Sequence, residues 1–184
     1  ALGKKSEKPN KVYKNWKIIT DKEFEILPYS KYYGLDFGST NPTALVEVKF
    51  DGEKTFFAKE KLYLPISKMS ATLSEVLQGL GIDKKIPLIC DSADPIKISE
   101  LIQNGFNAIP AIKGGGSVKA GIDFISAKNI YVTSGSENLI REEENYEWEI
   151  INNVNLDRPI KKDDHILDAF RYVITYLQFY LSIK

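Results

Sequence analysis

The sequence predicts an α/β domain whose mixed β-sheet carries helices on both faces. Three strand-like runs follow one another with short turns between them, which is typical of an antiparallel β-meander. Helical and strand-like segments then alternate, which favours parallel strands, and the last segment is a long amphipathic helix. With 184 residues, the chain is long enough for one domain with a substantial core.

The overall composition excludes several classes of protein. The 25 Lys and Arg residues balance the 25 Asp and Glu residues, so net charge gives no indication of a nucleic-acid partner. A single cysteine, Cys90, excludes an internal disulfide and a Cys-rich zinc site, and fits a reducing compartment. We see no apolar run near the length of a membrane span and no signal peptide.

The elements are expected in the following order. The meander consists of strands at 32–37, 44–50 and 54–62, with Asp51 and Gly52 in the second turn. Further strands are predicted at 87–91, 106–112 and 130–133. Helices are predicted at 67–80, capped by Ser67 or Ser70, and at 95–103, 118–126, 137–144 and 163–181. The segment 146–159 is expected to be an irregular or hairpin excursion, and the first meander strand to lie beside strand 87–91.

The first thirty residues differ from the rest in composition. Their early part is basic, with lysines at 4, 5, 8, 11, 14 and 17 against one acid at 7. Apolar residues at 12, 13, 16, 18 and 19 interrupt it. Two interpretations stay open: a connector with a packed end, or a basic arm that lies near DNA phosphates. We expect 1–30 to be a connector segment, partly packed, and 31–184 to be the domain.

Three carboxylates occupy related positions in the predicted fold. Asp36 and Asp91 each end an apolar strand, and parallel neighbouring strands would bring them to the same edge of the sheet. Asp168 lies on the last helix, three residues after His165 and therefore on the same side of it. A desolvated carboxylate requires a partner or a cation. Oxygen ligands suit Mg²⁺ or Mn²⁺, and two such ions about 3.5–4 Å apart can clamp a phosphoryl group.

Several motifs together carry a family resemblance. They are the runs 12–16, 33–38 with 42–44, Asp91-Ser92-Ala93-Asp94-Pro95, 113–118 with 121–122, the aromatic residues at 146 and 148, and an Asp-His-x-x-Asp-Ala-x-Arg-Tyr segment at 164–172. In this order they resemble the nuclease domain of the large terminase subunit of tailed double-stranded DNA phages, a member of the RNase H-like superfamily. The resemblance extends from about 12 to about 176.

The resemblance implies a metal-dependent endonuclease that cuts concatemeric phage DNA by two-metal hydrolysis. Asp36 would bridge two ions of Mg²⁺ or Mn²⁺, and Asp91 and Asp168 would each complete one site. His165 would handle a proton or orient water. Asp94, Asp164 and Lys97 are candidates for contacts just outside the metal ligands. The candidates for DNA binding lie in and near a glycine-rich loop, and they are Lys113, Gly114, Gly115, Ser117 and Lys119. This loop could also be a plain flexible turn.

The family also implies partners. These are double-stranded DNA, an ATPase motor domain on the same polypeptide, the portal protein and the small terminase subunit. The protein would act in the cytoplasm of the infected bacterial host, away from membranes and outside the mature virion. The sequence contains no phosphate-binding loop of the Gly-x-x-x-x-Gly-Lys-Ser/Thr type, so the motor would lie outside this segment.

Three other functions compete with this interpretation. The turn at 35–41 resembles the phosphate-binding turn of actin-like and Hsp70-like ATPases, which need a second domain with a second such turn. A junction resolvase could use the same fold. A module that only docks DNA or the portal protein, with a vestigial acidic cluster, would fit the neutral net charge.

Overall fold

The computed structural model describes residues 8–14 and 16–180. Within them a seven-stranded mixed sheet has the order β1-β7-β4-β3-β2-β5-β6, and a separate hairpin pairs β8 with β9. The strands are β1 (Lys17–Ile19), β2 (Ser30–Asp36), β3 (Thr43–Phe50), β4 (Thr55–Leu64), β5 (Leu88–Cys90), β6 (Ala108–Pro110), β7 (Asn129–Thr133), β8 (Trp148–Ile151) and β9 (Val154–Pro159). The helices are α1 (Asp21–Ile26), α2 (Leu73–Gly79), α3 (Pro95–Gln103), α4 (Ser117–Ser126), α5 (Glu137–Asn145) and α6 (His165–Tyr180).

The mixed sheet has the predicted arrangement. Strands β2, β3 and β4 form an antiparallel meander, while β5 pairs in parallel with both β2 and β6. In the turn between β3 and β4, Asp51 Oδ1 accepts hydrogen bonds from the amides of Glu53, Lys54 and Thr55. Gly52 adopts a φ of 88°, a left-handed conformation that glycine adopts without strain. The predicted fold class is therefore confirmed, with β2 in the interior of the sheet.

Alternation along the strands sends neighbouring residues to opposite faces. On β2, Tyr33 and Leu35 belong to the apolar cluster that includes Leu77 of α2 and Leu101 of α3. Gly34 instead faces α6: a Cβ added there would lie 2.0 Å from the carbonyl oxygen of Ala169. The helix can approach β2 this closely only because Gly34 has no side chain.

Helix boundaries follow the local capping groups. Helix α3 covers the predicted range, and Asp94 caps it by accepting from the amide of Lys97 at 3.1 Å. The predicted start of α2 at 67 is wrong. Residues 66–68 form a short 3₁₀ turn, and α2 begins only after Thr72, whose side chain forms a capping box with Glu75. Helix α6 begins two residues later than predicted, and its predicted last residue, 181, lies outside the described residues.

The N-terminal segment contributes two elements that the sequence did not predict. Strand β1 pairs in parallel with β7, and α1 begins with a capping box between Thr20 and Glu23. Earlier in the segment, the buried ring of Tyr13 stacks on Trp16, with 5.0 Å between ring centroids. The lysines at 4 and 5 lie outside the described residues, and the division at residue 30 stays a prediction. Of the helices described here, none is long and apolar enough to span a membrane.

The contact at Gly34 leads to a prediction about stability. Gly34→Ala should lower the free energy of unfolding by about 2–3 kcal/mol, because the new methyl group would push α6 away from the sheet. Urea denaturation measures this change. Gly79→Ala is the matched control: nothing lies within 4 Å of its Cβ position, so stability should change by less than about 1 kcal/mol. Equal effects of the two variants would contradict this account of the packing.

Candidate active site

Two of the predicted acids lie side by side at one edge of the sheet. Leu35 of β2 is in register with Cys90 of β5. The next residue after each of them is an acid, so Asp36 and Asp91 are neighbours. The amide of Asp91 donates to the carbonyl oxygen of Leu35 at 2.8 Å, which fixes this register. Asp36 lies two residues after Gly34, and by strand alternation it faces α6.

Helix α6 brings its first turns over the same edge. His165 Nδ1 lies 3.4 Å from Asp36 Oδ2, and the hydroxyl of Tyr172 donates to Asp36 Oδ1 at 3.2 Å. Asp168 occupies the first turn of α6. The two contacts of Asp36 therefore come from one helix, and the sequence-predicted residues Asp36 and His165 meet directly.

The electrostatics of Asp36 reflect the neighbouring acids. Asp36 is only 8% exposed, and this burial raises the pKa of its carboxyl group. The hydrogen bond from His165 opposes the rise, while the negative charges of Asp168 and Asp91 add to it. The same hydrogen bond raises the pKa of His165. The charges of Asp91 and Asp168 thus disfavour the ionised form of Asp36, which is the condition that a bound cation relieves.

The other two acids are paired with cations of the chain. Asp91 Oδ1 accepts from Lys113 Nζ and, at 2.9 Å, from the amide of Ala93. Asp168 Oδ1 accepts from a guanidinium nitrogen of Arg171. In the described residues, no three His, Cys, Asp or Glu side chains are grouped closely enough to hold a metal ion together. The oxygen donors suit Mg²⁺ or Mn²⁺ in type, and Asp91 and Asp168 could ligate an ion only by giving up these internal cations.

A cleft of about 460 Å³ lies beside the acids. It is lined by Asp164 and Asp168, by Arg171 and Tyr172, by the loop residues Lys113, Gly114 and Ser117, and by Arg158 and Lys161 near the end of the β8–β9 hairpin. Burial and the charge of Asp168 raise the pKa of Asp164 to about 6. The cleft therefore places Asp164 and Asp168 beside a set of cationic side chains.

The remaining predicted residues have other neighbours. Asp94, which caps α3, pairs with Lys97 in the first turn of that helix, and Lys97 Nζ lies 5.6 Å from the ring centroid of Phe37. Lys119 forms an ion pair with Asp123 and lies over the ring of Trp148 at 5.7 Å. Gly115 lines a smaller cavity of about 260 Å³ next to the glycine loop. These contacts place Asp94 and Lys97 at the start of α3, and Lys119 next to the hairpin.

Glu142 of α5 contacts the start of α6, and sequence reasoning did not predict this contact. Its side chain is buried, and Oε2 accepts from the amides of Ile166 and Leu167 at 2.9 and 3.1 Å. Its Oε1 accepts from the hydroxyl of Tyr63 at 2.7 Å. The first amides of a helix have no partner within the helix, so Glu142 fixes the start of α6. Burial raises the pKa of Glu142 to about 7. In the sequence, Glu142 lies among other charged residues, and that pattern does not indicate a buried capping residue.

Comparison with known proteins decides the family. A family model described as "Terminase RNAseH like domain" matches residues 36–175. The chain belongs to this family. The predicted resemblance to large terminase nuclease domains and the RNase H-like fold are thereby confirmed, and the family assignment supports a nuclease role.

Solved structures of terminases agree with the family model. The nuclease domain of the g2p large terminase of bacteriophage SPP1, solved with bound Mn, is 26% identical, with a TM-score of 0.73 over 87% of this chain and 95% of that domain. The P22 large terminase nuclease domain is 17% identical, with a TM-score of 0.62 over 94% and 91%. The large terminase of a thermophilic bacteriophage is 22% identical, with a TM-score of 0.73, and the match covers 92% of this chain but 46% of that protein. No curated protein matches the sequence significantly.

The role of Glu142 can be tested by stability. Glu142→Ala should lower the free energy of unfolding by about 2–4 kcal/mol, because two amides of α6 and the Tyr63 hydroxyl lose their buried acceptor. Glu137→Ala, an exposed substitution on the same helix, should cost less than about 1 kcal/mol. Chemical denaturation of both variants provides the comparison. A loss at Glu142 no larger than that at Glu137 would exclude the capping role.

Proposed function

We propose that this domain is the metal-dependent endonuclease of a phage DNA-packaging terminase, and that it hydrolyses phosphodiester bonds of concatemeric double-stranded DNA. The observation that carries the proposal is the meeting of Asp36, Asp91 and α6 at one edge of an RNase H-like sheet. The charges of Asp91 and Asp168 both act on Asp36, which supports a shared site. The Mn in the structure of the SPP1 relative supports a divalent ion as the cofactor.

Each of the three acids has a proposed part in metal binding. Asp36 would contact both of two Mg²⁺ or Mn²⁺ ions, Asp91 would complete one site and Asp168 the other. When bound, such ions stabilise charge on the phosphoryl oxygens and lower the pKa of water. The hydroxyl of Tyr172 holds one oxygen of Asp36 in place, and so orients the carboxylate. Glu142 sets the start of α6 and thereby positions both His165 and Asp168.

His165 is proposed to move or hold a proton at the candidate site. Its Nδ1 faces Asp36 Oδ2 at 3.4 Å, and the hydrogen bond to Asp36 raises the pKa of the imidazole. An imidazolium beside the acids can donate a proton to a leaving oxygen, and a neutral imidazole can orient water. Asp164, which lines the same cleft, is proposed to assist from beside Asp168. Asp94 and Lys97 are proposed only to hold the start of α3 beside Asp91.

DNA is proposed to enter along the cleft beside the acids. Lys113, Gly114 and Ser117 of the glycine-rich loop line it, as do Arg158 and Lys161 near the end of the hairpin. Gly115 and Lys119 would extend this surface toward α4 and the hairpin. Because these cations are local, a chain with zero net charge can still attract a phosphate backbone here. Binding through such contacts should weaken as salt rises.

The wider context of the domain is also a proposal. The large terminase of the thermophilic bacteriophage is about twice as long as the matched region and has been solved in complex with ADP. These features support an ATPase motor on the same polypeptide, with residues 1–30 as the connector. The portal protein and the small terminase subunit are the further partners we propose, in the cytoplasm of an infected bacterial host.

One feature of the turn after β2 argues against an ATPase. The amide of Gly38 donates to Thr43 Oγ1 at 2.9 Å, and this hydroxyl in turn donates to the carbonyl oxygen of Gly38. A Cβ at Gly38 would lie 2.2 Å from the carbonyl oxygen of Asn41. Gly38 is thus required for close packing within the turn, so its presence needs no bound nucleotide to explain it. The family assignment favours a terminase over an actin-like or Hsp70-like protein.

The nuclease proposal predicts the behaviour of acid variants. Asp91→Asn and Asp168→Asn should each reduce Mn²⁺-dependent cleavage of plasmid DNA by more than about 100-fold, because each removes a ligand from an ion that contributes several kcal/mol. Asp83→Asn, an exposed substitution near the opposite end of β5, should cleave like the wild type. Cleavage that persists in both acid variants would contradict the proposed metal site.

The same assay separates the alternative functions. Linear duplex and four-way junction substrates should be cut at similar rates if the enzyme is a packaging nuclease. A strong preference for junctions would favour a resolvase. DNA binding without cleavage in Mn²⁺ or Mg²⁺ would favour a docking module.

A further inference from the structure

The pairing of Lys113 with Asp91 lies at the centre of the candidate site. Lys113 Nζ contacts Asp91 Oδ1 and also lies 5.2 Å from the ring centroid of Tyr172. The hydroxyl of Tyr172 donates to Asp36. One ammonium group of the chain thus sits between the ring that orients Asp36 and the acid that is proposed to complete a metal site.

The two internal cations of the site differ in their freedom to move. The Arg171 side chain is 8% exposed, and a Cβ at Gly121 would lie 2.8 Å from its Cδ. Arg171 is therefore packed in place against α4. The Lys113 side chain is 41% exposed and precedes three glycines whose Cβ positions have nothing within 4 Å. Of this pair, Lys113 is the cation that can leave its acid at low cost.

In the cleft, a bound DNA phosphate would offer Lys113 a second anionic partner. Lys113 lines it together with Gly114, Ser117, Arg158 and Lys161, on the surface where a DNA phosphate is proposed to bind. An ammonium group that turns to a phosphate cannot keep the same contact with Asp91. A divalent ion at Asp91 would in turn repel the ammonium at close range. DNA would therefore bind Lys113 and a metal ion would bind Asp91, so each ligand separates the same ion pair.

We propose that Lys113 is a positioning residue that couples DNA binding to metal binding. A DNA phosphate draws Lys113 away from Asp91 and frees the carboxylate for a divalent ion. An ion at Asp91 releases Lys113 toward the phosphate. The inference rests on the proposed nuclease function, and by linkage the two ligands must strengthen each other by the same factor. The arrangement would keep metal affinity low until a duplex lies in the cleft.

The test is a calorimetric titration of the whole chain with Ca²⁺, with and without a short duplex. Lys113→Met keeps most of the aliphatic stem over Tyr172 and removes the charge. Without DNA, it should bind Ca²⁺ about two- to fivefold more tightly than the wild type, the factor expected for a partly exposed ion pair. The gain in Ca²⁺ affinity on adding DNA should shrink by the same factor. Lys85→Met, at the opposite end of β5, makes the same change of charge and should match the wild type.

The outcomes separate this inference from the nuclease proposal. If Asp91→Asn weakens Ca²⁺ binding but Lys113→Met leaves it unchanged or weaker, the coupling is wrong and the metal site stands. If Asp91→Asn leaves Ca²⁺ binding unchanged, the metal site and the coupling both fall. Thermal denaturation in EDTA should show that both lysine variants are folded, so that a change in affinity reflects the site.

Discussion

The structure depends on how it accommodates the charge of Asp36. A carboxylate at 8% exposure loses most of its hydration, and the charges of Asp91 and Asp168 make its ionised form still less favourable. Two side chains of α6, His165 and Tyr172, partly offset this cost through their contacts with the carboxylate. Those contacts leave the repulsion of the Asp36 charge by Asp91 and Asp168 in place. A divalent ion would neutralise this repulsion and so stabilise the site. Because the repulsion destabilises the folded state without an ion, the surrounding structure has to hold the acids in position.

Two contacts next to the acids supply that fixed scaffold. Gly34 lets α6 lie directly on β2, with Ala169 against the strand backbone. Glu142 accepts the first free amides of α6 and determines where the helix starts. Because His165 and Asp168 lie within the first turn of that helix, a shift at either contact would move them relative to Asp36. The same helix also carries Arg171 and Tyr172, so one element positions most of the groups that face the acids.

Sequence reasoning succeeded where one local pattern determines the outcome. Apolar runs that end on an acid predicted β2 and β5, and their parallel pairing follows from the α/β order, so Asp36 and Asp91 could be placed together. Strand β1 could not be predicted, because three residues carry no clear periodicity and their partner, β7, is over a hundred residues away. Glu142 could not be recognised either, since a buried capping carboxylate and a surface glutamate look alike in a charged helix. The contact of Lys113 with Asp91 depends on the path of a glycine loop, which sequence alone does not define.

The central claim, that Asp36 is held among like charges to bind a divalent ion, is tested most directly by thermal denaturation of wild type and Asp36→Asn with and without Mn²⁺. In EDTA the variant should melt at a higher temperature than the wild type, because it removes a buried charge that neighbouring acids repel. Added Mn²⁺ should raise the melting temperature of the wild type, since a ligand that binds the folded state stabilises it, and should leave the variant unchanged. A Mn²⁺ response in Asp36→Asn equal to that of the wild type would contradict the account.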